Sequence, residues 1–222
     1  NQVSVEEFLE TIEDSLIKYL PTFDYYDSFE DLLPERIAVN NIEQDKAVMD
    51  LQLVFDINLA EYAKMQDREK EYTKQEVEQK LKVDFNECWT QKLTDEDNNN
   101  YNFKIKDENN EIVFLIDRDN GFPLYLSQKS KGFQWFISFY LRLKALKTKM
   151  EIGEIEDYIL LIDEPGQGLH EKAQEDVKKV LEELASNKIQ ILYTTHNPRL
   201  IDVADKITRL RLIYQDKKDG TK

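Results

Sequence analysis

Apolar residues recur along the chain in two rhythms: helical three-and-four spacing through most of the first 92 positions, and short continuous runs after that. Ser4-Val5-Glu6-Glu7 has the form of a capping box, and Val5, Phe8, Leu9, Ile12, Leu16 and Leu20 then predict an amphipathic helix that Pro21 stops. The stretch from Phe23 to Leu33 is aromatic and acidic, ends at Pro34, and reads as a short strand and loop packed on something larger. Helical patterns follow over about 42–66 and about 70–92. In the second, Val77, Leu81, Phe85 and Cys88 step by four or three, which puts Cys88 on the buried face as a small apolar residue.

After a polar break at 93–100, Tyr101, Phe103 and Ile105 alternate, Asp107-Glu108-Asn109-Asn110 supply turn chemistry, and Ile112 to Ile116 is apolar: a β-hairpin. Leu124-Tyr125-Leu126 predicts a short strand, and Ser130 caps a long helix running to about Met150. Tyr158 to Ile162 is a fully apolar strand, followed by a helix over about 170–186. A strand from Ile189 to Thr195, a short helix from Pro198 and an alternating strand from Ile207 to Tyr214 complete the pattern. Continuous apolar strands alternating with helices mean a buried, mostly parallel sheet, so the fold class is α/β.

Composition narrows the class. At 222 residues and 41% hydrophobic, the chain can bury a real core and is neither collagen-like nor wholly disordered. No apolar stretch is long enough to span a membrane, and the N-terminus lacks a basic region followed by an apolar one. The single cysteine fits a reducing compartment, so a cytoplasmic location is expected. Because the first residue is Asn rather than Met, the chain is expected to be cut from something longer. Its net charge of −15 divides unevenly, −17 over the first 120 residues and +2 over the rest. An acidic half repels phosphate backbones and argues against a nonspecific nucleic-acid sleeve, yet leaves room for a local basic site. Lys144, Lys147 and Lys149 along one helix, and Arg209 and Arg211 on one strand face, are the candidates.

Chemistry concentrates at the end of one strand. Tyr158-Ile159-Leu160-Leu161-Ile162-Asp163-Glu164-Pro165 is a hydrophobic run delivering two adjacent carboxylates, at the strand end where open α/β sheets bind ligands. One reading is a Walker B site, with Asp163 holding Mg²⁺ and Glu164 polarising an attacking water as general base. The other is a buried strand that simply ends and caps the next turn. Gly166-Gln167-Gly168-Leu169-His170 then gives a flexible crossing segment, and Ile191 to Pro198 is a second apolar strand ending in His196, 33 positions after Asp163. Both histidines, His170 and His196, are expected at strand ends beside a phosphate, and the imidazole of His196 could donate to a γ-phosphate oxygen. Upstream by the same interval, Ser130 at a helix N-cap, flanked by Lys129, Lys131 and Gly132, offers an anion site; its alternative is an ordinary capped helix with Phe133, Trp135, Phe136 and Phe139 as core.

In this order the residues resemble the C-terminal lobe of ABC-type ATPase heads, the group of Rad50, SMC and RecF. Ser130-Lys131-Gly132 is similar to the signature Ser-Gly-Gly, with Lys131 in place of a glycine, and Gln167-Gly168-Leu169-His170 to the D-loop Ser-Ala-Leu-Asp. The closer resemblance is to bacterial ATPases of the overcoming-lysogenisation-defect (OLD) type. It rests on Ser130 to Phe136, Asp163-Glu164-Pro165-Gly166 with Leu169-His170, Leu20 to Phe23, Asp31 to Pro34 and Arg209 to Tyr214. The resemblance implies ATP sandwiched between two heads of a homodimer. Ser130, Lys131, Gly132, Gln167 and Gly168 would sit at nucleotide, with Asp163 at Mg²⁺ and Glu164 and His196 catalytic. It implies DNA-related work and a role in phage defence. Three regions follow: 1–34 joining the ATPase core, 35–100 an acidic helical insertion or arm that projects or helps pair the heads, and 101–222 the signature and Walker B lobe.

The phosphate cradle Gly-x-x-x-x-Gly-Lys-Ser/Thr is missing, because none of the six glycines is followed by lysine. The resemblance places that Walker A lobe upstream, on another chain or a removed segment, and a Toprim nuclease domain downstream. A pseudo-ATPase or an asymmetric partner subunit is the alternative explanation of the missing cradle. Two rival functions remain: a non-catalytic dimerising lobe that donates Ser130 to Gly132 in trans, and an AAA+ head with Thr194 to Asn197 as sensor. The Ser-x-Gly helix ahead of the acidic pair disfavours the second.

Overall fold

The computed structural model describes residues 16, 20–26, 32–89, 101–118, 122–155, 157–185, 189–201, 209–213, 215–216 and 220–221. Its elements in chain order are β1 (Thr22–Tyr26), β2 (Arg36–Ala38), α1 (Lys46–Phe55), α2 (Leu59–Tyr62), α3 (Asp67–Cys88), β3 (Tyr101–Glu108) and β4 (Glu111–Arg118). They continue with β5 (Leu124–Tyr125), α4 (Lys131–Glu151), β6 (Tyr158–Asp163), α5 (Glu171–Ala185), β7 (Gln190–Thr194), β8 (Gln215–Asp216) and β9 (Gly220–Thr221). The fold is mixed α/β, with a parallel sheet flanked by helices. The helix expected before Pro21 lies outside the described residues except at Leu16, which is helical, and Leu20.

β1, β6 and β7 form a parallel sheet in the order β1-β6-β7, with Tyr26 opposite Ile162 and Asp163 opposite Thr194. β2, β4 and β3 form an antiparallel sheet that β5 extends. The predicted hairpin is present in full register, and Asn109 and Asn110 take the left-handed conformation its two-residue turn requires.

α4 joins the two sheets, and its sequence explains why. Phe133, Trp135, Phe136, Ile137, Phe139, Tyr140, Leu141, Leu143 and Leu146 surround the helix, so it is buried on nearly every side. Tyr26 of β1 packs on Phe139 and Trp135, while Phe85 of α3 meets Phe133, Phe136 and Tyr140 at ring-centroid distances of 5.6 to 6.0 Å. The acidic 35–100 stretch, expected as an insertion or arm, thus contributes Val48, Leu51, Phe55, Val77, Leu81 and Phe85 to the same core as α4. Cys88 is half-buried against that core, in line with its place in the apolar stripe.

One buried charge cluster pins α4 to its neighbours. Arg142 bonds Asp24 of β1, reaches both carboxylate oxygens of Asp50 on α1 at 3.1 and 3.3 Å, and Tyr158 of β6 donates to Asp24 at 2.7 Å. Burial pushes the Asp50 carboxyl up to about 6, against the opposing pull of Arg142.

Two expectations change. The single helix over about 42–66 is broken, because Asp56 is left-handed and Asn58 starts α2 by accepting from the Glu61 amide at 2.9 Å. The strand over 207–214 is not formed at its described residues 209–213, and Arg209 and Arg211 therefore share no strand face. Alternation alone cannot make a strand: a ladder partner is required, and 209–213 has none among the described residues. The basic stripe on α4 is partly engaged, with Lys147 3.7 Å from Glu183 and Lys144 over the Tyr140 ring.

Candidate functional site

Parallel register brings the end of β6 beside the end of β7. Asp163 closes β6 exposed to solvent, and the Thr194 hydroxyl donates to its Oδ1. The chain then turns sharply: Glu164 has φ +46°, a left-handed conformation rare for a residue with a side chain. Two contacts hold it there, since the Glu164 amide donates to the Thr194 carbonyl at 3.1 Å and to its hydroxyl at 3.2 Å. Such over-determined backbone conformations cluster at functional sites.

The Glu164 side chain faces His196. Nδ1 of His196 lies 2.8 Å from Oε1 of Glu164, and the His196 amide donates to Oε2 at 3.3 Å. A carboxylate only accepts, so this contact requires the proton on Nδ1. Each Glu164 oxygen keeps a second lone pair, so the group can still accept from water. The His196 side chain is 78% exposed and that of Glu164 27%, which leaves the pair open on the imidazole side.

After Glu164 a tight turn runs through two left-handed glycines, Gly166 and Gly168, with Gln167 donating to the Glu164 carbonyl at 3.1 Å and Leu169 to the Gly166 carbonyl at 3.0 Å. Gln167 and Gly168 are exposed, whereas Leu169 is buried and packs on Gly132 at the start of α4. A Cβ on Gly132 would lie 2.5 Å from Leu169 Cδ2, so the close approach that glycine permits is made here by Leu169. Ser130 caps α4 by accepting from the Phe133 amide at 3.2 Å, and Gln134 steadies the preceding turn by donating to the Lys129 carbonyl at 2.8 Å. Ser130 and Lys131 are exposed.

The structure therefore brings Glu164 to His196 and Asp163 to Thr194 at the ends of two neighbouring strands, and joins Gly132 to the Gln167-Gly168 turn through Leu169. His170 is not at a strand end: it immediately precedes α5, where its carbonyl accepts from Gln174 at 3.2 Å. Thr194 and Leu169 are the members that sequence reading gave no site role of their own. The sequence offers Thr194 only as part of a sensor segment, and its partnership with Asp163 needs the pairing register to be known.

A family model described as "AAA domain, putative AbiEii toxin, Type IV TA system" matches residues 11–202. The chain belongs to this family. Membership in an AAA family brings an ATPase-type function and implies the use of ATP and Mg²⁺. No curated protein matches the chain. In this AAA-type chain the donors suit Mg²⁺, since an exposed carboxylate at a strand end with a neighbouring hydroxyl and second carboxylate offers hard oxygens. Among the described residues no group of three or more His, Cys, Asp or Glu forms a cage, and Mg²⁺ needs none, because it keeps waters and takes substrate oxygens. No helix among the described residues is long and apolar enough to cross a membrane.

Proposed function

We propose that this chain carries the hydrolytic strand ends and the signature-type corner of an OLD-like, ABC-class ATPase head. Its support is the contact between Glu164 and His196 at the ends of two adjacent parallel strands. In this reading Asp163 would hold Mg²⁺, which when bound would supply positive charge against the phosphates, and Glu164 orients and polarises the attacking water as general base. His196, whose Nδ1 faces the Glu164 carboxylate, would turn its other ring nitrogen to a γ-phosphate oxygen and so register the loss of that phosphate. Ser130, Lys131 and Gly132 approach the γ-phosphate held by a second head, with Gln167 and Gly168 at the crossing between them. The triphosphate grip comes from a lobe that carries the Gly-x-x-x-x-Gly-Lys-Ser/Thr motif.

Nucleotide-driven pairing of heads in DNA-related work, and a part in defence against phage, belong to the same proposal. They rest on the resemblance and on the toxin wording of the family description. The test is Mg²⁺-dependent turnover of the chain completed by a cradle lobe: Asp163→Asn should remove the Mg²⁺-dependent rate, and a rate equal to wild type would overturn the assignment. One observation favours the AAA+ sensor reading instead, the bond from Thr194 to Asp163. Ser130→Ala separates the two, because only the signature reading places Ser130 at nucleotide; turnover equal to wild type would favour the sensor reading.

A further inference from the structure

His196 lies on no regular element: β7 ends at Thr194, and the chain runs on through Thr195 to a short 3-10 turn, Pro198–Leu200. Its own side chains fold that segment into one compact piece. The Thr195 hydroxyl accepts from the Asn197 amide and the Asn197 side chain from the Arg199 amide, both at 3.0 Å. Leu200 is buried, and the Tyr193 hydroxyl donates to its carbonyl at 2.7 Å, which ties the far end of the piece back to β7. Local turns of this kind carry Arg199 along with His196, three residues before it. Arg199 then reaches out of the segment altogether. Its guanidinium lies 2.7 Å from Glu171 and 3.5 Å from Glu175, one turn apart on α5. Glu171 opens α5, directly after the chain has come through the Gly166–Gly168 turn from Glu164.

We propose that Arg199 is a positioning residue for the Glu164–His196 pair: by bridging to Glu171 and Glu175 it holds the segment that carries His196 against the start of α5, and so keeps the imidazole at the carboxylate. What the pair does in catalysis rests on the ATPase reading above; the bridge itself does not. Glu164 and Glu171 flank a turn that depends on two left-handed glycines, residues that leave a backbone many alternatives. His196 and Arg199 belong to the facing segment. The Glu164–His196 contact joins the two pieces on one side and the Arg199 bridge on the other, so each contact lowers the ordering cost of its companion. The imidazole needs that help, because it is 78% exposed and little packing holds it. Glu171 and Glu175 are like charges four apart on one helix, a mutually repulsive pair that a planar arginine fork can span. With the Arg199 side chain 41% exposed, the bridge is of the solvent-open kind, which shifts an equilibrium by about fivefold at most.

The test reads the imidazole directly, by NMR of the full chain made with isotope-labelled histidine, whose two histidines are His170 and His196. At a pH that keeps the ring neutral, the ring-nitrogen shifts give the ratio of Nδ1–H to Nε2–H forms, and the contact with Glu164 favours the first. Glu164→Ala sets the ratio without that contact. Arg199→Ala should move the His196 ratio about two- to fivefold towards the Glu164→Ala value. Arg199→Lys, which keeps the charge, should recover part of the wild-type ratio, and Arg199→Gln, which does not, should recover none. A wild-type ratio in Arg199→Ala, or equal ratios in the Lys and Gln variants, would overturn the proposal. In the completed head Arg199→Ala should lower kcat by the same two- to fivefold factor with KM for ATP unchanged. An unchanged kcat beside a Glu164→Gln variant that no longer turns over would overturn the positioning role. The hydrolysis reading fails separately: a shifted ratio with normal turnover in Glu164→Gln would keep the bridge and remove the base.

Discussion

Glu164 Oε1 lies 2.8 Å from His196 Nδ1, joining the residue just past the end of one parallel strand to a histidine two residues past the end of its neighbour. The spacing of 33 positions between Asp163 and His196 is closed by strand register, which sets Asp163 opposite Thr194. If His196 serves the γ-phosphate, His196→Ala in the completed head should lower kcat by about tenfold or more with KM for ATP little changed. Steady-state phosphate release checks this, and a near-wild-type rate would return the histidine to a structural part.

Gly132 and Leu169 form the second relationship with a measurable consequence. Gly132→Ala puts a Cβ 2.5 Å from Leu169 Cδ2, so the Leu169 side chain must shift, and a loss of about 1 kcal/mol, net of the better helix propensity of Ala, is expected in urea unfolding. Leu169→Ala in the same chain should recover part of it, and a double-mutant cycle with no coupling would contradict the contact.

The Asp50 carboxyl, raised by burial to about 6, gives a signed pH dependence. Its ordinary value is near 3.8, so between these limits the folded chain binds more protons than the unfolded one, and stability falls as pH rises through that window. Asp50→Asn removes the titration. Denaturant unfolding between about pH 4 and pH 7 should show a shallower fall in the variant than in wild type. Equal slopes would contradict the assignment.

Phe85 tests whether the acidic helices belong to the main core. Its ring meets side chains of both β3 and α4, so Phe85→Ala should cost about 3–5 kcal/mol and shift the single unfolding transition as a whole. A variant in which only part of the chain unfolds early would show that these helices form a separate unit.

Elements that carry their own signal were legible in the sequence. Tyr158 to Ile162 could only be a buried strand, Ser130 caps its helix through local chemistry, and Asn109-Asn110 supplies a turn few other residues allow. The break between α1 and α2 was hidden because Asp56 and Asn58 sit inside an otherwise helical rhythm. The tail at 209–213 shows the reverse case, a strand rhythm with no neighbour to pair with among the described residues. Arg142, Asp24 and Asp50 were invisible as a cluster, since positions 118 and 92 apart meet only once α4 is laid against β1 and α1. At the site, the acid pair and His196 stood out as residue types at strand ends, but Thr194 needed register and Leu169 needed packing.

The central claim is that Glu164 is the base at the end of β6. The most direct measurement is ATP turnover and ATP binding of the completed head with Glu164→Gln, which keeps the size and one acceptor oxygen of the side chain while removing its charge. The account predicts that hydrolysis falls by about a hundredfold or more while ATP stays bound and the heads remain together. Turnover unchanged from wild type would contradict it.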